Sequence, residues 1–139
     1  MGSRGQALET GGFTAYNYKT LIRIGNTRFV MQKESGDSVK SPEMSNSPWA
    51  VYATISKSGE LQSISFFNGG RKKFKEIDFL HAHKKLTPHT HIIDPNSLKM
   101  RSKKDYRTLT TREKNYVEKI KNFFTQNNVK DLYDKEKSR

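Results

Sequence analysis

Cysteine is absent from this 139-residue chain. That excludes disulfides, thiolate zinc sites, iron–sulfur clusters and a cysteine nucleophile. Also missing is any apolar run near the roughly 20 residues that cross a bilayer. The opening Met1-Gly2-Ser3-Arg4-Gly5-Gln6 has no apolar core of a secretion signal, and Gln6 stands where a myristoylation signal wants Ser or Thr. The expectation is a cytoplasmic protein. Acidic residues are scarce, 14 against 26 Lys and Arg, which leaves a net charge of +12. No Walker, RNP, KH or zinc-finger pattern occurs, nor a Gly-x-Ser-x-Gly elbow or a His-Glu-x-x-His pair.

What the chain does have is positive charge and histidine. A surplus of this size attracts polyanions, of which nucleic acid is the usual one. The segment 71–104 holds ten basic residues against three acidic ones, more one-sided than an ordinary solvated face. Arg71, Lys72, Lys73, Lys75, Lys84 and Lys85 are its candidate RNA-binding residues. All four histidines fall between positions 81 and 91 as two His-x-His pairs, His81/His83 and His89/His91. In an extended chain, spacing two puts both rings of a pair on one face.

The pattern along the chain predicts an α+β domain. Residues 1–13 read as a flexible N-terminus. Alternating Tyr16, Tyr18, Ile22 and Ile24, then Gly25-Asn26, then Thr27 to Met31 predict an N-terminal β-hairpin over 14–33, since Gly and Asn both tolerate positive φ. The hairpin must pack on the body or project from it, and Arg23 and Arg28 on its two arms add a second RNA-binding pair. Residues 34–48 are Ser-rich and polar and read as a flexible linker. The body is expected over 49–126. Trp49, Val51, Ala53 and Ile55 would share one face of a strand, Leu61 to Phe67 would return, and Arg71 to Phe79 would follow, with a bulge because Phe74 is out of phase with Ile77 and Phe79. His89 to Ile93 completes a meander of three or four antiparallel strands. It packs on one helix opened by Thr110 and Glu113 at capping-box spacing, whose apolar stripe is Tyr116, Val117, Ile120, Phe123 and Phe124. A charged tail, 127–139, is expected to fray. With the hairpin separate, removal of 1–33 should leave the body folded.

Three chemistries fit the histidine cluster. In the first, two of His81, His83, His89 and His91 act as general base and acid in cleavage of an RNA phosphodiester, while Lys84, Lys85 or Arg71 stabilises the developing charge. His83 and His89, flanking the central lysines, are the leading pair. In the second, the imidazoles hold a divalent metal. Asp78 and Asp94 lie close in sequence, but with no carboxylate between the two pairs the metal-free route is preferred, so no cofactor is expected and a metal stays the alternative. In the third, the cluster only binds nucleic acid. An ordinary polar loop fits as well.

The opening Met1 to Gly5, the stretch from Gly59-Glu60-Leu61 to Lys75-Glu76-Ile77-Asp78-Phe79, the segment Pro88-His89-Thr90-His91 and Leu109-Thr110 before a helix resemble small proteins of Gram-positive phages, plasmids and conjugative elements. Similar modules end some phage-head and toxin-like proteins. The resemblance covers roughly 49–125, with its specific part from Ile77 to His91. Within this set the chain looks most like the type II-A anti-CRISPR proteins that act on guide RNA. One kind causes guide-RNA truncation, with an N-terminal hairpin implicated, and Tyr16 to Met31 would match that hairpin. The resemblance implies a bacterial host cytoplasm, an RNA-guided CRISPR nuclease and its guide RNA as partners, and inhibition by RNA binding or truncation. It carries over no catalytic residue. A stand-alone histidine-dependent ribonuclease of toxin type, or a metal-binding His-cluster protein, is the alternative function.

Overall fold

A computed structural model of the chain describes residues 18–33, 39, 41–79, 88–96, 99–100 and 106–138. The protein is α+β. Six main strands lie in chain order: β1 (Tyr18–Ile24), β2 (Thr27–Gln32), β3 (Val51–Ile55), β4 (Leu61–Phe67), β5 (Lys73–Asp78) and β6 (His89–Asp94). Two short pieces, β7 (Lys99–Met100) and β8 (Tyr106–Arg107), both pair with β6. Helices α1 (Thr111–Gln126) and α2 (Val129–Lys137) follow. The meander of β3 to β6 is antiparallel, as the short turns joining β3 to β4 and β4 to β5 require. The phase slip at Phe74 is a bulge: Phe66 and Phe67 are neighbours on β4, yet they face Lys75 and Lys73 on β5.

The hairpin is part of this sheet. Gly25 takes φ 62 at the first turn position, the conformation glycine adopts without a Cβ penalty. β2 then runs parallel to β3, pairing Thr27 with Val51 and Val30 with Thr54. A parallel pair needs a crossover rather than a tight turn. The segment expected to be a featureless linker supplies its end. Ser41 Oγ lies 2.6 Å from Ser63 Oγ, Ser45 Oγ bonds Tyr52 Oη at 3.2 Å, and Met44 bridges to Lys72. Residues 41–48 are thus ordered by hydrogen bonds to the sheet, where composition alone suggested a free connection.

One face of the sheet is apolar and carries both helices. Phe29, Met31, Val51, Ala53, Ile55, Ile64 and Ile77 meet Val117, Ile120, Val129 and Tyr133 there. Phe66 and Phe123, expected in the core, are only partly buried at its margin. The charged tail is also a correction. Val129 and Tyr133, spaced i, i+4, are buried, and Asn128 in a left-handed conformation lets the chain turn from α1 into α2. Tyr133 Oη donates to Lys57 O at 2.8 Å, and Lys130 Nζ to Ser58 O at 3.1 Å, so α2 clasps the β3–β4 turn.

The capping box at Thr110 and Glu113 is formed, and Glu113 does more than cap. Arg107 grips its carboxylate with both guanidinium nitrogens at 2.7 and 3.0 Å. Lys75 Nζ and Thr90 Oγ1 each donate at 3.1 Å. Burial alone would raise this carboxyl. The bonds from Arg107, the Thr110 amide and Lys75 outweigh it and hold the pKa at about 2. Glu113 therefore pins the start of α1 to β5, β6 and β8.

Candidate functional site

The other face of the sheet holds a smaller apolar cluster of Tyr18, Val30, Ala50, Tyr52 and Phe67 towards β1 to β4 and is otherwise largely polar, and strand register lines its residues up in rows. One row runs Arg23, Arg28, Tyr52, Ser65, Glu76 and His91 across β1 to β6. The next runs Val30, Thr54, Ser63, Asp78 and His89. Most of these side chains are buried, and hydrogen bonding is what makes such burial tolerable. Ser41 donates to Glu76 at 3.3 Å, Ser65 donates to the same carboxylate, and Lys73 Nζ lies 2.6 Å from it.

At the β5–β6 end of the rows sit Asp78, His89 and His91. The Nε2 atoms of the two imidazoles lie 2.9 Å apart with the rings edge to face. His91 Nε2 is 4.0 Å from Asp78 Oδ2. One ligand atom from each of the three residues falls within 4.8 Å of the others. His89 is fully buried, and the His91 side chain is 12% exposed. The His-x-His spacing does place His89 and His91 on one face. The carboxylate could not be found between the two pairs in sequence because it comes from the adjacent strand, where Asp78 pairs with His89. His81 and His83 lie outside the described residues, and so do Lys84 and Lys85.

The basic residues divide. Arg28, expected to share an exposed face with Arg23, is instead buried. It donates to Tyr52 Oη at 3.0 Å and to Ser47 Oγ at 2.9 Å, because the crossover covers the polar face there. Lys73 is buried against Glu76 and Lys75 is paired with Glu113, so neither charge is at the disposal of a ligand. Arg23 and Arg71 are exposed, and Lys72 is half-buried.

Trp49 departs most from expectation. The alternation puts it on one strand face with Val51 and Ile55, yet it is 65% exposed. Its backbone has φ 56, in the left-handed region, just before β3 begins. That turn breaks the alternation and lays the ring over Gly69, where an added Cβ would lie 3.0 Å from it. Asn26 Nδ2 donates to Trp49 O at 3.3 Å, and Trp49 N donates to Asn68 O at 3.1 Å. Arg71, in the same β4–β5 turn, also has positive φ, 67. Two turns and the approach to β3 thus form one corner that holds Trp49 beside Arg71 and the hairpin tip.

These features define an α+β protein with one helix-covered and one largely polar sheet face, the latter ending in a His–His–Asp cluster. Comparison with protein-family models, with curated proteins and with solved structures finds no match to this chain.

Proposed function

We propose that this protein binds single-stranded RNA and acts as an inhibitor of an RNA-guided type II CRISPR nuclease through its guide RNA. The observation that carries the RNA-binding part is the Trp49 corner. Among the described residues Trp49 is the exposed large hydrophobic side chain, and holding a bulky residue at positive φ costs on the order of 1–3 kcal/mol. A ring presented at that expense beside Arg71 and Arg23, on a chain of net charge +12, suits stacking on an unpaired base with phosphates held alongside. The guide RNA as target rests on the resemblance of the Ile77 to His91 run.

Trp49 is the single tryptophan of the chain, so its fluorescence reports on this corner alone. Titration with a single-stranded RNA should quench it, and affinity should fall steeply with salt. Trp49→Ala should cost about 1–3 kcal/mol of binding. RNA binding that leaves the tryptophan signal unchanged would remove the corner from the proposal. The inhibitory role is read from guide-RNA length and nuclease activity, with and without the protein. Shortening of RNA without the nuclease would favour the second reading, a stand-alone ribonuclease. The partly exposed His91, with Asp78 4.0 Å away, supports that reading, since a general base must reach its substrate. His→Ala at the responsible position would then lower the rate about 100- to 10,000-fold.

A further inference from the structure

We infer that Asp78, His89 and His91 form a binding site for a divalent transition-metal ion of the zinc type. The inference does not rest on RNA binding. Three ligand atoms from two paired strands converge at one point. Paired strands fix ligand positions better than loops do. Two imidazole nitrogens and a carboxylate oxygen form the mixed N/O set that zinc, iron(II) and manganese accept. Hard calcium and magnesium prefer oxygen alone, and copper(I) prefers sulfur.

The distances agree with this donor set. Imidazole nitrogens held at about 2.0–2.1 Å and at right angles about a metal stand roughly 2.9 Å apart, and about 3.3 Å apart in a tetrahedron. The Nε2 atoms here are 2.9 Å apart. Asp78 Oδ2, 4.0 Å from His91 Nε2, must advance by about 1 Å to complete the set, which side-chain rotation provides. Asp78 and His89 are buried and His91 is partly exposed. Three protein ligands leave further coordination positions open, the arrangement of catalytic rather than purely structural metal sites. Two histidines at positions i and i+2 of β6, with an aspartate opposite the first on β5, are therefore a sheet-built counterpart of helical ligand pairs.

The test is calorimetric titration of the full-length protein, stripped with chelator, using Zn²⁺, followed by Co²⁺ as a visible-absorption probe of coordination. The expected result is one ion per chain, with cobalt bands of a nitrogen- and oxygen-ligated site. H91A and D78N should each weaken binding by more than the 10- to 100-fold carried by outer partners of a metal site. Zinc should raise the melting temperature of the wild type but not of H91A. His91 is the more accessible imidazole, and circular dichroism on both variants confirms folding. If either variant fails to fold, Asp78→Ser and His91→Gln, which keep a polar side chain but remove the metal-binding carboxylate or imidazole, take its place. Absence of saturable binding below millimolar zinc would overturn the inference. So would unchanged affinity in folded H91A and D78N, because the ion would then be held elsewhere, for instance by His81 and His83. Neither result bears on the RNA titration of Trp49, so the two proposals fail separately.

Discussion

The two faces of this sheet are built from the same strands and obey opposite rules. Along β5, Ile77 points to the helices and is fully buried among apolar side chains, while its neighbour Asp78 points to the other face and meets histidine. Along β6, Thr90 bonds Glu113 on the helix side and His89 and His91 face away. The helix face gains stability from removal of apolar surface from water, about 25 cal/mol per Å². The polar face buries groups that must each find a partner and yields only about 0.5–1.5 kcal/mol net per hydrogen bond. An apolar layer explains why the chain folds. A buried polar layer adds little to that and is tolerated because its groups are hydrogen-bonded.

The largest effect expected from breaking this division is removal of the hairpin. Phe29 and Met31 on β2 belong to the helix-face core, and Arg28 anchors the polar face. Deletion of residues 1–33 should therefore abolish cooperative unfolding of the remainder, as read by circular dichroism. A truncated body that still melts cooperatively would restore the hairpin as a separate arm. Next in size, Ile120→Ala should cost about 2–5 kcal/mol in denaturant unfolding, since the side chain is fully enclosed and leaves a cavity.

Glu113 ties α1 to the helix side of β5, β6 and β8 and gives a pH signature. Its folded pKa, about 2, lies below the ordinary glutamate value. The unfolded state therefore binds the proton more readily, and the contribution is present above the unfolded value near 4.3. It is lost as pH falls from there towards 2, and it amounts to about 2–3 kcal/mol at most. Unfolding free energy measured against pH should rise through this window in the wild type and much less in Glu113→Gln. Equal slopes would show that the Arg107 and Lys75 bonds contribute nothing. The smallest effect is expected at Trp49. Glycine accepts positive φ without strain, so Trp49→Gly should change stability by no more than about 1 kcal/mol, in either direction, while weakening RNA binding.

The helix face was legible in the sequence because its periodicities are local. Val117 and Ile120 mark the helix stripe, Ile64 and Ile77 alternate on their strands, Thr110 and Glu113 mark the cap, and Phe74 betrays its bulge by phase. What escaped depends on register between distant segments. No local pattern shows that Asp78 will stand opposite His89, or that Ser41 and Ser45 will find partners on β3, β4 and β5. Arg28 reads as a surface charge until Tyr52 and Ser47 are brought to it. Trp49 fails for another reason: hydrophobicity predicts burial, and only its left-handed backbone turns the ring outward. Within the tail, the charges of 130–137 concealed the Val129 and Tyr133 stripe. Half of the histidine cluster was legible as a pair on one face, since His89 and His91 need only strand alternation.

The division between the faces is tested most directly by adjacent residues on one strand. Unfolding free energies in metal-free buffer should be compared for Ile77→Ala and for the double variant Asp78→Asn/His91→Gln. The account predicts a loss of about 2–5 kcal/mol for Ile77→Ala. For the double variant, which keeps a polar side chain at both positions, it predicts about 1 kcal/mol. A double variant as unstable as Ile77→Ala would mean that the Asp–His cluster holds the fold together, and would contradict its assignment as a functional site.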